Sequence, residues 1–328
     1  MSFADKQVLI TGGAGFIGSN LAIRLAGMGA VVTVMDSMLP GYGGNLFNLS
    51  RVRDQVTINF SDMRDQPSLS YLVRGKDYIF NLAGQVSHQD SMLDPIMDME
   101  INVRAQLVLL EACRQFNHSA VIVYASTRQF YGQPEYVPVD ERHPINPPDV
   151  NGINKLAGEQ YHTLYSRVYG MKTVSLRLTN TYGPRQLIKN ARQGFIGWFM
   201  NRAVTGNTIQ LFGGGDQIRD FTHVDDVVNA FLLAAATPAC YGDFFNLSGD
   251  KASLYQVADH LVRGSGKGTV EKVPFPDERK KIDIGSFWGS SDKFRAATGW
   301  QPGVALERGL NETIAYYLEN MDYYLGDE

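Results

Sequence analysis

Along the first half of the chain, short β-branched and aliphatic runs alternate with longer stretches that repeat apolar residues every three or four positions. The runs are QVLIT (Gln7–Thr11), AVVTVMD (Ala30–Asp36), QVTINF (Gln55–Phe60), DYIFNLA (Asp77–Ala83), AVIVYAS (Ala120–Ser126) and KTVSLRL (Lys172–Leu178). Near-continuous apolar runs of this length suit strands covered on both faces, as in a parallel sheet. Between them, Gly15–Met28, Gln66–Val73, Met97–Phe116 and Val150–Val168 are predicted helices. Strand–helix alternation predicts right-handed crossovers and an α/β fold with a doubly wound parallel sheet. Past about Thr179 the pattern breaks up. NTYGPRQ, LFGGGDQIRD and VPFPDERKK read as loops that present polar groups. The expected division is residues 1–179 as the sheet domain and 180–328 as a smaller α/β part that binds substrate. GDFFNLSG (Gly242–Gly249) is expected to return a strand to the main sheet.

Composition adds bounds. A chain of 328 residues suits one large domain or two closely joined ones. The formal net charge of -4 supplies no general basic field, so nucleic acid is not an expected partner. Anionic ligands must then be held locally. Cys113 and Cys240 make neither a metal-ligand spacing nor a disulfide framework, so reduced thiols and no metal are expected. The first residues, MSFADKQVLITGG, lack a basic segment followed by an apolar one. The run Val227–Ala236 is too short to span a bilayer. A cytoplasmic protein without a membrane partner is the expectation.

The strongest chemical signal is TGGAGFIG. Gly12, Gly15 and Gly18 directly follow a strand and open a helix. The first glycine permits the tight turn, the second admits a pyrophosphate close to the backbone, and the third lets helix and strand pack closely. Gly15, Phe16, Ile17 and Gly18 form the helix start, whose N–H groups and dipole favour phosphate. Asp36 ends the second strand, where a carboxylate bonds ribose hydroxyls. From Ser37 onward, SMLPGYGG offers no cation for a 2′-phosphate. This ordered context, a Rossmann dinucleotide site, predicts NAD rather than NADP.

Further stretches give the chain a family resemblance. They are SDMRD (Ser61–Asp65), NLAGQVSHQDSMLDP (Asn81–Pro95), YASTRQFYG (Tyr124–Gly132), the Lys155 helix, LRLTNTYGPRQ (Leu176–Gln186), RDFTHVDDVVNAF (Arg219–Phe231) and FRAATGWQP (Phe294–Pro302). With the glycine loop they resemble the extended short-chain dehydrogenase/reductase family, in particular nucleotide-sugar epimerases and dehydratases. The resemblance implies that Asp62 and Met63 contact adenine. It implies that Leu82, Ala83 and Gly84 wall the ribose and nicotinamide, and that Lys155 holds the nicotinamide ribose. It assigns Asn180 and Arg219, with Arg279 as a second candidate, to the phosphates of a nucleotide sugar. It places Gln85, His88 and Tyr131 in the sugar pocket, with His88 either a proton donor or a hydrogen-bonded wall. It also implies a homodimer in which Met97–Phe116 and Val150–Val168 form a four-helix bundle.

In enzymes of this kind NAD takes a hydride from the sugar, commonly at C4, while a tyrosine removes the hydroxyl proton. A neighbouring lysine and a Ser or Thr assist. Thr127 and Lys155 match two of these catalytic positions. Asn151 stands at the third, four residues before Lys155, where the family usually carries tyrosine. An amide donates and accepts hydrogen bonds but cannot serve as a base. After Thr127 the chain reads Arg128 and Gln129. The 4,6-dehydratases carry Asp and Glu there, and the decarboxylases a Glu at the second position. Epimerisation with a rearranged proton relay is what remains. Arg128 points to an anion near the sugar, either a carboxylate or a repositioned phosphate. Two other readings stay open: enolisation of an already oxidised or acidic sugar with structural NAD, and a catalytically silent binder of NAD and a sugar nucleotide. The base, the sugar and the carbon are not legible.

Overall fold

A computed structural model describes residues 2–191, 194–275 and 284–326. The strands are β1 (Gln7–Thr11), β2 (Val31–Met35), β3 (Val56–Asn59), β4 (Tyr78–Asn81), β5 (Val121–Thr127), β6 (Lys172–Leu178), β7 (Asn180–Tyr182), β8 (Thr208–Phe212), β9 (Ile218–His223), β10 (Phe244–Asn246), β11 (Asp250–Ser253) and β12 (Thr269–Val273). Seven of them form one parallel sheet in the order β10-β6-β5-β4-β1-β2-β3. The order reverses between β1 and β4. In a doubly wound sheet that reversal opens a crevice at the carboxyl ends of the strands, where ligands bind.

Alternate residues of the same strand feed opposite cores. Val8 and Ile10 enter one cluster with Leu21, Leu25, Val228 and Phe231. Leu9 enters the other with Leu69, Leu109, Leu110 and Ile122. The first cluster is covered by α1 (Phe16–Gly27) and the helix Val224–Ala236, and the second by α2 (Gln66–Leu72), the helix Ala105–Phe116 and the helix Val150–Tyr169. Burial on both faces explains why the strands read as continuous apolar runs.

Several segments beyond Thr179 complete this first unit. β10 pairs with β6, with Phe245 opposite Leu176. The helix Val224–Ala236 and the buried Phe294 and Trp300 belong to the first core. The rest packs around a separate core of Phe199, Leu211, Phe221, Leu261, Ile314 and Tyr317. Two small sheets, β11-β9-β7 and β12-β8, frame it.

The stretch expected as one helix over Met97–Phe116 is broken. Pro95–Met99 and Ala105–Phe116 are α-helical, with a π-helical turn at Glu100–Arg104 between them. No Gly or Pro marks this break, so local pattern could not reveal it. The turn directs Asn102, whose Nδ2 donates to the Gln85 carbonyl at 3.0 Å. The Val150–Tyr169 helix is capped by Asp149, whose side chain accepts the Gly152 N–H, and it ends on Gly170 in the left-handed conformation (φ 69°).

Candidate active site

An open cleft of about 310 Å³ runs along the carboxyl ends of the central strands. At one end it is lined by Gly12, Gly15, Phe16, Ile17, Gly18, Asp36, Ser37, Asp62, Met63, Leu82, Ala83 and Gly84, the residues expected to hold the cofactor. The glycines have steric reasons to be glycine. Gly12 has φ +65°, and a Cβ there would lie 2.9 Å from the Ala83 backbone. A Cβ on Gly18 would overlap the Gly12 carbonyl. Gly15 caps α1 without a side-chain bond, and no acidic residue lies in the first turn. The helix therefore offers its own N–H groups and dipole to an anion.

Asp36 accepts the Ala14 N–H at 3.0 Å and the Met38 N–H at 2.9 Å. Burial raises its pKa, and the two N–H bonds partly offset that. Thr11 braces the opposite wall: its Oγ1 accepts the Leu82 and Ala83 N–H groups and donates to Asn81 Oδ1 at 3.0 Å. Asp62 is engaged by Arg64 through its backbone N–H (2.8 Å), Nε (2.9 Å) and Nη2 (2.7 Å). That pairing lowers the Asp62 pKa. Glycine cradle, bare helix start and strand-end carboxylate together fit a dinucleotide.

At the other end, Thr127, Asn151 and Lys155 line the same cleft. Lys155 is buried. Its Nζ donates to the Ala125 carbonyl at 2.5 Å and lies 4.4 Å from the centre of the Tyr124 ring. Burial lowers its pKa to about 8, against the opposing charges of Asp98 and Glu159. The Thr127 hydroxyl accepts the Gln129 N–H at 3.1 Å. Asn151 is a structural hub. Its Nδ2 donates to the Gln85 carbonyl (2.8 Å), Gln85 Oε1 (3.3 Å) and buried Asp98 (3.0 Å), and its backbone N–H donates to Ser91 Oγ. Asn154 donates to the same Asp98 carboxylate at 2.8 Å. Three separate chain segments are tied together there.

Among the residues expected to meet substrate, His88, Arg128 and Asn180 line the cleft. His88 Nδ1 lies 2.8 Å from Asp149 Oδ2, the oxygen to which Gln129 Nε2 also donates. The Arg128 guanidinium stacks on Phe287 at 4.8 Å. Burial and the neighbouring Arg219 charge lower its pKa to about 10, with Asp220 and Asp149 opposing. Asn180 Nδ2 donates to the Asp220 carbonyl at 2.9 Å.

Three expected residues do not line this cleft. Gln85 is buried, and its side chain is turned back on Ser87 and Asn151. Arg219 is buried and donates to the Ile218 and Gly285 carbonyls. Tyr131 requires correction, because its ring is fully buried with Phe130, Val139 and Phe287. Its hydroxyl donates to Asn246 Oδ1 at 2.9 Å and accepts from Arg177, so the ring is core rather than sugar wall. The 3₁₀ turn Gln129–Tyr131 turns it inward. Arg279 lies outside the described residues.

Sequence reasoning missed Asp149, Arg64, Asp98 and the pair Thr179 and Thr181, whose hydroxyl oxygens are buried without a partner at the cleft wall. Asp149 was readable only as a helix cap and Arg64 only as one more surface charge. Among the described residues no acidic, His or Cys cluster could hold a metal. No helix there is long and apolar enough to cross a membrane.

Comparison with known proteins accords with this site. Residues 8–247 match the NAD dependent epimerase/dehydratase family. A putative UDP-glucose 4-epimerase of Methanocaldococcus jannaschii is 30% identical over 96% of this chain and 99% of its own. CDP-paratose 2-epimerase of Salmonella typhi is 34% identical over 93% of this chain and 97% of its own. The crystal structure of Thermotoga maritima UDP-glucose 4-epimerase with UDP-glucose superposes with a TM-score of 0.87 at 31% identity, covering 96% of this chain and 99% of that one. Dehydratases and a decarboxylase of nucleotide sugars also match over nearly the whole chain. The chain belongs to the NAD dependent epimerase/dehydratase family, and its cofactor is NAD.

Proposed function

From that membership we propose that the protein is a nucleotide-sugar epimerase that inverts a hydroxyl-bearing carbon, C4, through a transient keto sugar. The observation that carries the reading is the continuity of the cleft from the glycine loop and Asp36 to Thr127, Lys155 and Arg128. NAD, when bound, supplies a hydride acceptor and returns the hydride. Lys155 holds the nicotinamide ribose, and its confined ammonium favours negative charge building on the sugar oxygen. Thr127 bonds the reacting hydroxyl. Asn151 takes the tyrosine position, where it organises the pocket and accepts no proton. The loop residues Arg128 and Gln129 supply neither acid nor base for eliminating water, which favours epimerisation over dehydration.

The part spanning 180–328 binds most of the nucleotide sugar, with Asn180 on the phosphate side. The assembly is a homodimer. Ile153, Leu164, Val168 and Tyr169 expose apolar surface on the helix Val150–Tyr169, and Phe116 does so on its neighbour, which supports a four-helix interface. Two buried free thiols, Cys113 and Cys240, suit a cytoplasmic setting.

The test is incubation of the NAD-loaded protein with UDP-, dTDP-, CDP- and GDP-sugars. Proton NMR should detect a new epimer, and absorbance should detect a small fraction of reduced cofactor. If no sugar perturbs the absorbance of bound NAD, the redox reading is wrong. Solvent deuterium uptake without cofactor reduction would establish enolisation instead.

A further inference from the structure

We propose that His88 is the catalytic residue that exchanges the sugar's hydroxyl proton, with Asp149 as its positioning residue. The proposal rests on the epimerase reading and supplies the step that Asn151 cannot perform.

The geometry is that of an oriented imidazole. His88 opens the short helix His88–Leu93, which packs over the start of the Val150–Tyr169 helix. Its Nδ1 lies 2.8 Å from Asp149 Oδ2. Asp149 is buried and held from three sides: its Oδ1 accepts the Gly152 N–H at 2.8 Å, and its Oδ2 accepts Gln129 Nε2 and faces the His88 ring. A carboxylate only accepts, so Nδ1 carries a proton, and in the neutral ring the lone pair is then on Nε2. The His88 side chain is 45% exposed, and it lines the cleft beside Thr127, Asn151 and Lys155. Ser91 fixes the spacing: its hydroxyl donates to the His88 carbonyl at 2.8 Å and accepts the Asn151 N–H at 3.2 Å. The His88 backbone is thus tied to that of Asn151, and its ring is held by Asp149, two residues before Asn151 in the chain.

Lys155, Asp98 and Glu159 are hydrogen-bonded within the protein, and the unpartnered Tyr124 hydroxyl is buried behind the cleft wall. Lys155 Nζ is bonded to Ala125, with the Tyr124 ring beneath it. The Tyr124 hydroxyl is fully buried, and burial pushes its pKa far above the usual range. Asp98 serves Asn151 and Asn154. Glu159 serves Arg177 and Ser126. The charges sharing the region with the imidazole are Asp149 behind it, Asp90 on its own helix, and Lys155 and Arg128 along the cleft.

The step balances. Nε2 takes the O–H proton as the carbon gives its hydride to bound NAD and the C=O forms. On reduction from the opposite face, the imidazolium returns that proton to oxygen. Cofactor and imidazole both end as they began.

The experiment uses NAD-loaded protein and whichever nucleotide sugar it epimerises. His88→Ala should lower kcat by about 10²–10⁴ while leaving NAD affinity in place, and free imidazole should restore part of the loss. Adding Asn151→Tyr to that variant should also restore turnover. Asp149→Ser keeps a helix cap but cannot reach the ring. Nitrogen NMR of the cofactor-free protein should show neutral His88 protonated at Nδ1 in the wild type and a mixture of tautomers in Asp149→Ser. Full kcat in His88→Ala, or a wild-type ring protonated at Nε2, overturns the proposal. A wild type that turns over no nucleotide sugar overturns the epimerase reading itself, whereas a wild type that turns over while His88→Ala matches it overturns only the role of His88.

Discussion

The two ends of the cleft are built by different means. The cofactor end rests mainly on backbone, the glycines that admit a close approach and a helix start, with the Asp36 side chain at the strand end and Asp62, Met63 and Leu82–Gly84 completing the wall. The other end, the proposed sugar end, is made of side chains from distant segments. His88 meets Asp149 across 61 residues, and Asn151 meets Gln85 across 66 and Asp98 across 53. A site made of backbone has few acceptable substitutions. A site made of side chains can exchange one reacting group for another and keep its frame.

The largest predicted effect breaks the cofactor end. In Gly18→Ala the added methyl meets the Gly12 carbonyl and Gly13 Cα, both backbone, so the loop itself must move. NAD binding measured by calorimetry should weaken by at least about 10²-fold, the scale of a displaced positioning element. An affinity within a few-fold of wild type would show that the loop yields and that the contrast between the two ends is overstated.

Lys155 joins the ends, and its protonation has a stability signature. Its pKa is lowered from 10.5 to about 8 by burial. Between those values the unfolded chain binds more protons than the folded one, so stability rises with pH across that window. Denaturant titrations from pH 7 to 10.5 should show this rise in the wild type and its loss in Lys155→Met. The variant should also lose most activity, on the order of 10²-fold or more. A wild-type slope unchanged by the substitution would place the ammonium in a wetter environment than the structure gives it.

How much was legible follows the same division. The parallel strands and the NAD loop could be read because short-range pattern dictates them. That Asp36 lines the cleft could be read because its position after the second strand is local. The π turn at Glu100–Arg104 could not, since Glu-Ile-Asn-Val-Arg has ordinary helical composition and long-range contacts from Asn102 accompany the break. Tyr131 was misplaced because an aromatic in a motif loop reads the same whether it faces ligand or core. Its direction depends on Asn246 and Arg177, which are 115 and 46 residues away. Asp149 was hidden for a similar reason: as a helix cap it had a complete local explanation, and its contact with His88 is visible only in three dimensions.

The smallest predicted effect sharpens the contrast at the sugar end by comparing two arginines. Arg177 is buried with its charge answered by Glu159 at 2.6 Å, which makes it part of the frame. Arg128 lines the cleft and rests on the Phe287 ring, with Arg219 nearby adding like charge. Its guanidinium remains a cation at neutral pH and is suited to fork onto an anion. In Arg128→Ala the KM for a nucleotide sugar should rise by the equivalent of about 1.5–3 kcal/mol, with NAD affinity unchanged. Steady-state kinetics with matched neutral and uronate sugars then locates the anion. An equal loss for both assigns Arg128 to the diphosphate, while a loss confined to the uronate assigns it to a sugar carboxylate. No change in either KM would make the arginine a structural ring-stacker and remove the main sign that the sugar end recognises charge.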